Sequence, residues 1–198
     1  MVRCTGVDPE AAALVDGLRR GDRAAFDSVF TAYRRKLYGY LARMTRRRDV
    51  AEDLLQETFL RLARHATRLA PDTRLAPWLF TVAHRLVVSW ARAQAVRAQL
   101  AGELCGEAAA PERSPLEAVA DSQAQLALER AFGALAPAYR EVALLVGVEG
   151  MAPAEVAEIL GLRADAVRQR LSRARDQLAA ELGELAPARP AAKPGRTA

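Results

Sequence analysis

Pro153-Ala154-Glu155-Val156-Ala157-Glu158-Ile159-Leu160-Gly161-Leu162, followed from Arg163 by a longer amphipathic stretch, is the part of this chain whose reading decides the fold. The pattern predicts a short helix, a reversal at a glycine and a second helix, which together make a helix-turn-helix. Pro153 fits the first helical position, where a backbone N–H has no partner inside the helix. Gly161 fits the position just past the helix, where left-handed backbone lets the chain reverse. In the second helix Val167, Leu171, Ala174 and Leu178 recur at helical spacing and form the stripe expected to be buried. Arg168, Gln169, Ser172 and Arg173 are left on or beside the exposed face. Five arginines (Arg163, Arg168, Arg170, Arg173 and Arg175) stand against Asp165 and Asp176 in this stretch. A basic helix presented this way suits the major groove, where glutamine and arginine read base edges. The plainer alternative is a pair of antiparallel helices with a charged outer face; turn, stripe and charge together favour DNA.

Outward from this motif the chain divides by composition. The helical block around it is expected to span residues 121–185, and the tail 186–198, with Pro187, Pro190, Pro194 and Gly195, reads as disordered. Upstream, residues 101–120 hold Gly102, Gly106, Pro111, Ser114 and Pro115 among scattered acids, the composition of a flexible linker. Residues 22–100 form another helical block, preceded by a lead-in over residues 1–21 with a helical turn at 11–20. No strand-like alternation of useful length occurs, so the fold expected is all-α: two small helical domains joined by the linker.

In the first block Phe26, Phe30, Tyr33, Leu37 and Leu41 fall on one helical face, which is the pattern of core packing. Asp49 with Glu52 three residues later reads as a capping box that starts the next helix. On that helix Val50, Leu54, Leu55, Thr58, Phe59 and Leu62 can face inward, leaving Asp53, Gln56, Glu57, Leu60 and Arg61 outside. A further helix is expected from Pro77, with Leu79, Ala83, Leu86 and Trp90 as its core stripe and Thr81, Arg85, Val88 and Arg92 opposite. No aspartate or glutamate occurs from Thr73 to Gly102, whereas Arg74, Arg85, Arg92 and Arg97 do. A helix without acids and with several arginines is what a phosphate backbone selects, although many solvated faces are also basic.

Composition agrees with these elements. The 198 residues carry a net charge of +5 and a pI near 9.7, which points to a polyanionic partner. Lys36 and Lys193 are the only lysines, and guanidinium groups suit bidentate contacts to phosphate and guanine. Codon bias in a GC-rich genome accounts for most of that imbalance. Cys4 and Cys105 stand far apart without CxxC spacing or a nearby histidine, so neither a disulfide nor a zinc site is expected. His65 and His84 are the only histidines, no nucleophile–base pairing is visible and no glycine-rich phosphate loop is present. The chain therefore reads as a non-enzyme without metal or cofactor. No signal segment or membrane-length run appears, so membrane insertion is not expected and a cytoplasmic location is.

Both blocks resemble one family, in order. Asp53-Leu54-Leu55-Gln56-Glu57-Thr58-Phe59-Leu60-Arg61 and Pro77-Trp78-Leu79-Phe80-Thr81-Val82-Ala83 resemble region 2 of the extracytoplasmic-function (ECF) sigma factors of the sigma-70 family. Leu135-Ala136-Pro137-Ala138-Tyr139-Arg140-Glu141-Val142, Ala157-Glu158-Ile159-Leu160-Gly161 and Val167-Arg168-Gln169-Arg170-Leu171-Ser172-Arg173-Ala174-Arg175 resemble region 4. The resemblance covers residues 22–97 and 123–182. It implies an alternative sigma factor that binds core RNA polymerase and promoter DNA and is held in check by an anti-sigma factor. By position it implies polymerase contacts at Asp53, Gln56, Glu57, Leu60 and Arg61. It implies −10 DNA contacts at Thr73, Arg74, Leu75, Ala76, Pro77, Trp78, Thr81, Arg85 and Arg92, with 73–77 a loop that captures an unstacked base. It implies −35 contacts at Arg168, Gln169, Ser172 and Arg173. The chain departs from the family pattern at His84-Arg85, where an Arg-Asn pair is usual, and at Ser89, where an aspartate is frequent. Ala152 stands where a serine usually caps, and Ala154 replaces a usual glutamate. The competing assignment, a stand-alone helix-turn-helix regulator, leaves the Asp53–Arg61 face and the acid-free helix without a use.

Overall fold

The computed structural model describes residues 9–100 and 123–183, and every regular element among them is helical. The expected linker, the tail, Cys4 and Cys105 lie outside the described residues. The first half holds α1 (Pro9–Arg19), α2 (Arg23–Thr45), α3 (Arg48–His65), a 3₁₀ turn at Ala66–Arg68 and α4 (Leu75–Leu100). The second holds α5 (Gln123–Ala134), α6 (Pro137–Val142), a π-helical stretch at Ala143–Val148, α7 (Pro153–Leu160) and α8 (Ala164–Leu182).

Each helix end has a local cause, and some differ from expectation. Asp22 caps α2, its Oδ1 accepting from the Ala24 N–H at 2.8 Å. The capping box expected at Asp49 is absent: α3 starts two residues earlier than that box requires, and Asp49 instead ion-pairs with Arg47, the cap residue. The following helix begins at Leu75 rather than Pro77, with the Trp78 N–H donating to the Arg74 carbonyl at 3.1 Å. Pro77 is tolerated because it sits in the first turn, where its missing N–H removes no bond. At the start of α7, Ala152 offers no side-chain acceptor, so only half of a capping box forms: the Ala152 N–H donates to Glu155 Oε2 at 3.0 Å. The turn after α7 is as expected. Gly161 takes φ 64° and ψ 36°, and the Leu162 N–H reaches back to the Ala157 carbonyl at 2.9 Å in a Schellman closure.

The stretch expected as a lead-in is instead a helix of the core: α1 packs on α2 and buries Val15 and Leu18. Val29, Leu37, Tyr40 and Leu41 of α2 meet Phe59 and Leu62 of α3 and Leu79, Phe80 and Ala83 of α4. Phe26 and Phe30 flank Phe59, with ring centroids 6.3 and 4.7 Å away. Trp90, assigned to the core stripe of α4, is only half-buried and lies outside this cluster, because α4 runs past its partners beyond Val87. In the second half Leu135, Val142, Leu144, Leu145, Val156 and Ile159 close over Val167, Leu171 and Ala174 of α8.

The buried apolar residues of both halves form one contiguous cluster, and α4 packs directly on α7. Two blocks free to vary in relative position were expected; in this structure they are docked. Arg140, 5% exposed, threads the seam: its guanidinium donates to the carbonyls of Phe132, Gly133 and Leu135 at 2.8 Å each, and to that of Arg43 at 3.4 Å. Burial, helped by the nearby Arg46, pulls its pKa down from the usual guanidinium value. The carbonyl shell offsets the lost hydration.

The turn geometry makes a direct prediction. A β-branched side chain at Gly161 must enter left-handed backbone, so Gly161→Val should lower unfolding free energy by about 1–3 kcal/mol in urea titration. Gly161→Asn should cost less, because asparagine tolerates that region.

Candidate nucleic-acid interface

Rotation of α8 is set by Val167, Leu171 and Ala174, all buried against α5, α6 and α7. Arg168, Gln169, Ser172 and Arg173 are consequently all exposed, on the side away from the core. Gln169 and Ser172 carry free polar ends, whereas Arg168 pairs with Asp165 one turn back. Arg173 donates to the Tyr139 hydroxyl of α6 at 3.3 Å, a support that spacing along the sequence did not reveal. The glutamine thus has an uncommitted donor and acceptor on a convex, basic face, which is what an adenine edge requires.

Along α4, Arg85 and Arg92 are exposed, and with His84, Val88 and Ser89 they line a shallow cleft of about 330 Å³. Thr73, Ala76, Pro77 and Trp78 are partly exposed at the start of the helix, and the Trp78 ring lies 6.5 Å from that of His65. Three expectations change here. Leu75, Ala76 and Pro77 are the first turn of α4 and not a loop. Leu75 is 4% exposed, so its side chain packs inward and cannot meet a base in this arrangement. The Thr81 hydroxyl is already spent on the Pro77 carbonyl at 2.7 Å. Arg74 is exposed but occupied: it donates to Glu155 Oε1 at 2.8 Å and to Glu158 Oε2 at 2.7 Å, both on α7. Long-range pairing of this kind has no signature in a single sequence.

On α3, Asp53, Gln56 and Leu60 are exposed, and Leu60 is unusual in showing 41% of its surface as a large apolar residue. Glu57 and Arg61 are half-buried and pair with each other at 2.8 Å. Beside them runs a groove of about 330 Å³ lined by Phe26, Phe30, Leu55, Gln56, Phe59 and Leu60. The lining of this trough is apolar apart from Gln56 and Glu52, and the Arg34 guanidinium lies 5.9 Å from the centroid of the Phe30 ring.

Glu141 of α6 is 9% exposed. Its Oε1 accepts from the Tyr40 hydroxyl at 2.5 Å and lies 2.7 Å from His84 Nδ1. Burial, and then the charge and hydrogen bond of Glu141, hold the Tyr40 hydroxyl well above its ordinary pKa, so it remains a donor. Among the described residues no group of three or more histidine, cysteine, aspartate or glutamate side chains is placed to hold a metal ion. No described helix is long and apolar enough to cross a membrane.

Two family models match the chain, one in each half. Residues 29–97 match the model of Sigma-70 region 2, which takes in the α3 face and α4, and residues 125–178 match that of Sigma-70 region 4, which takes in the helix-turn-helix. The RNA polymerase sigma factor CarQ of Myxococcus xanthus is 35% identical over 174 residues, covering 86% of this chain and 97% of that protein. The ECF RNA polymerase sigma factor SigM of Mycobacterium tuberculosis is also 35% identical, over 83% of this chain and 81% of its own. Among solved structures, the fold is shared with the sigma factor RpoE from Bartonella quintana in complex with the anti-sigma factor NepR (TM-score 0.70, 24% identity, 79% of this chain and 96% of that one). CnrH in complex with the cytosolic domain of CnrY gives a TM-score of 0.62 at 22% identity, over 87% and 96% of the two chains. With both region models matched in order and CarQ covered almost end to end, the chain belongs to the ECF sigma factors of the sigma-70 family.

Proposed function

We propose that this chain is an alternative sigma factor that joins core RNA polymerase, selects promoters through two DNA-reading faces and initiates transcription without catalysing a reaction itself. The observation that carries the reading is the rotation of α8, which buries Val167, Leu171 and Ala174 and turns Arg168, Gln169, Ser172 and Arg173 outward together. On this reading residues 121–185 hold the −35 reader, while residues 22–100 hold the polymerase face on α3 and the −10 reader at Thr73, Arg74, Trp78, Arg85 and Arg92. Its place of action is the cytoplasm, where its polymerase works. Control by an anti-sigma factor belongs to the same proposal, as the RpoE neighbour was crystallised with one.

Two experiments follow. Gln56→Ala with Glu57→Ala should weaken binding to core polymerase by roughly tenfold or more, about 1.4 kcal/mol. Unfolding free energy should stay within about 0.5 kcal/mol, since both residues lie outside the core. Unchanged affinity for core polymerase with an intact circular dichroism spectrum would remove α3 from the interface.

The second uses reconstituted holoenzyme on a promoter library randomised at the −35 element, at two salt concentrations. Gln169→Ala should relax preference at one base and cost about 1–3 kcal/mol on the preferred sequence. Arg173→Ala should weaken all promoters alike and lower the salt slope by about one, the mark of a lost phosphate contact. A uniform loss with Gln169→Ala would make it a backbone contact.

A further inference from the structure

We propose that Tyr139 of α6 is a DNA contact: its hydroxyl and the Arg173 guanidinium of α8 form one clip, built from two helices, for a single backbone phosphate of the upstream element. This rests on the reading of α8 as the −35 reader, and deepens it by adding a residue from outside the helix-turn-helix.

The two outward-turned arginines of α8 are held in different ways. Arg168 pairs with the Asp165 carboxylate, which offsets its charge. Arg173 meets only the Tyr139 hydroxyl among the described residues, a neutral acceptor 3.3 Å from its Nη1. The phenol therefore fixes the guanidinium and leaves its charge whole. One N–H of the fork is used in that bond, so the others stay available to an anion.

The hydroxyl is placed in the same way. A phenol donates one proton and accepts through its lone pairs; with a lone pair given to Arg173, its own O–H still lacks an acceptor among the described residues. Its direction is set from beneath. Tyr139 lies in the first turn of α6, its N–H donating to the Ala136 carbonyl at 2.9 Å, and its ring packs half-buried on the core. A ring already fixed there loses little conformational freedom when its tip meets a ligand. Arg173 follows Gln169 by one turn, about 6 Å along the axis. A helix in the major groove meets base edges with its outward face and the sugar-phosphate wall with its flank. A phosphate oxygen at that flank accepts from guanidinium and phenol together, both bonds strengthened by its charge. The one acid of α6, Glu141, does not compete, because it is buried and engaged with Tyr40 and His84.

Tyr139→Phe removes the hydroxyl and keeps the ring; a cooperative melt and unchanged affinity for core polymerase verify that the fold survives. Fluorescence anisotropy then reads reconstituted holoenzyme on labelled promoter duplexes in which single −35 phosphates are replaced by uncharged methylphosphonates. The wild type should lose affinity at a small set of phosphates. At one of them the loss should vanish in Arg173→Ala and shrink in Tyr139→Phe. On unmodified DNA Tyr139→Phe should bind about three- to tenfold more weakly whatever the −35 sequence. Its salt slope should match the wild type, since no cation is removed, whereas that of Arg173→Ala falls by about one. Wild-type affinity in Tyr139→Phe overturns the proposal. So does weaker binding with the full methylphosphonate penalty kept at every phosphate, the mark of a hydroxyl that serves packing alone. A scrambled −35 element bound by wild-type holoenzyme as well as the intact one would instead overturn the reading of α8, and the clip with it.

Discussion

A carboxyl group taken out of water needs hydrogen-bond partners in place of the lost solvation, and Glu141 finds its partners in the opposite half of the chain. The docked arrangement meets that requirement. Beside it Arg140 meets the complementary need, a buried guanidinium surrounded by carbonyls that end α5 and lead into α6. Two successive residues thus tie their segment to its own half and to the other. The apolar contacts around them supply most of the burial, but they are non-directional. The polar pair specifies which surfaces meet.

The docked form distributes exposure unevenly over the proposed functional faces. The α3 face, with Leu60 and the apolar groove behind it, stands open, as does the outward side of α8. The start of α4 is engaged by α7.

Periodicity along the sequence was enough to place α2, α3, α7 and α8, and the stripe Val167, Leu171, Ala174 gave the rotation of α8 without any structural information. Those features are local: a helix repeats every few residues, and a glycine after it reports its own backbone. What was illegible depends on distant partners. Asp49 looked like a cap, yet Arg47 claims it. Trp90 continued the apolar stripe of α4, yet the helix outruns its neighbours before reaching it. Leu75 looked like part of a DNA-reading loop, yet the first turn of α4 directs it into the core. The acids on Arg74 and the partners of Glu141 lie between 57 and 101 residues away along the chain, a separation at which no spacing rule operates.

The opposed directions of Arg140 and Glu141 also constrain how this segment can change length. Each residue added to an α-helix turns everything beyond it by about 100°. One insertion between Pro137 and Arg140 would swing the guanidinium off its carbonyls and carry the carboxylate out of reach of Tyr40. Immediately downstream the Ala143–Val148 stretch already runs in wider turns, with the Glu149 N–H bonding the Leu144 carbonyl at 2.9 Å, five residues back. Wide turns of this kind are how a helix absorbs an extra residue without losing its frame. Length variation in related chains should therefore collect after Val142 and be missing before it, leaving α6 as a segment of fixed count within a chain that can vary around it.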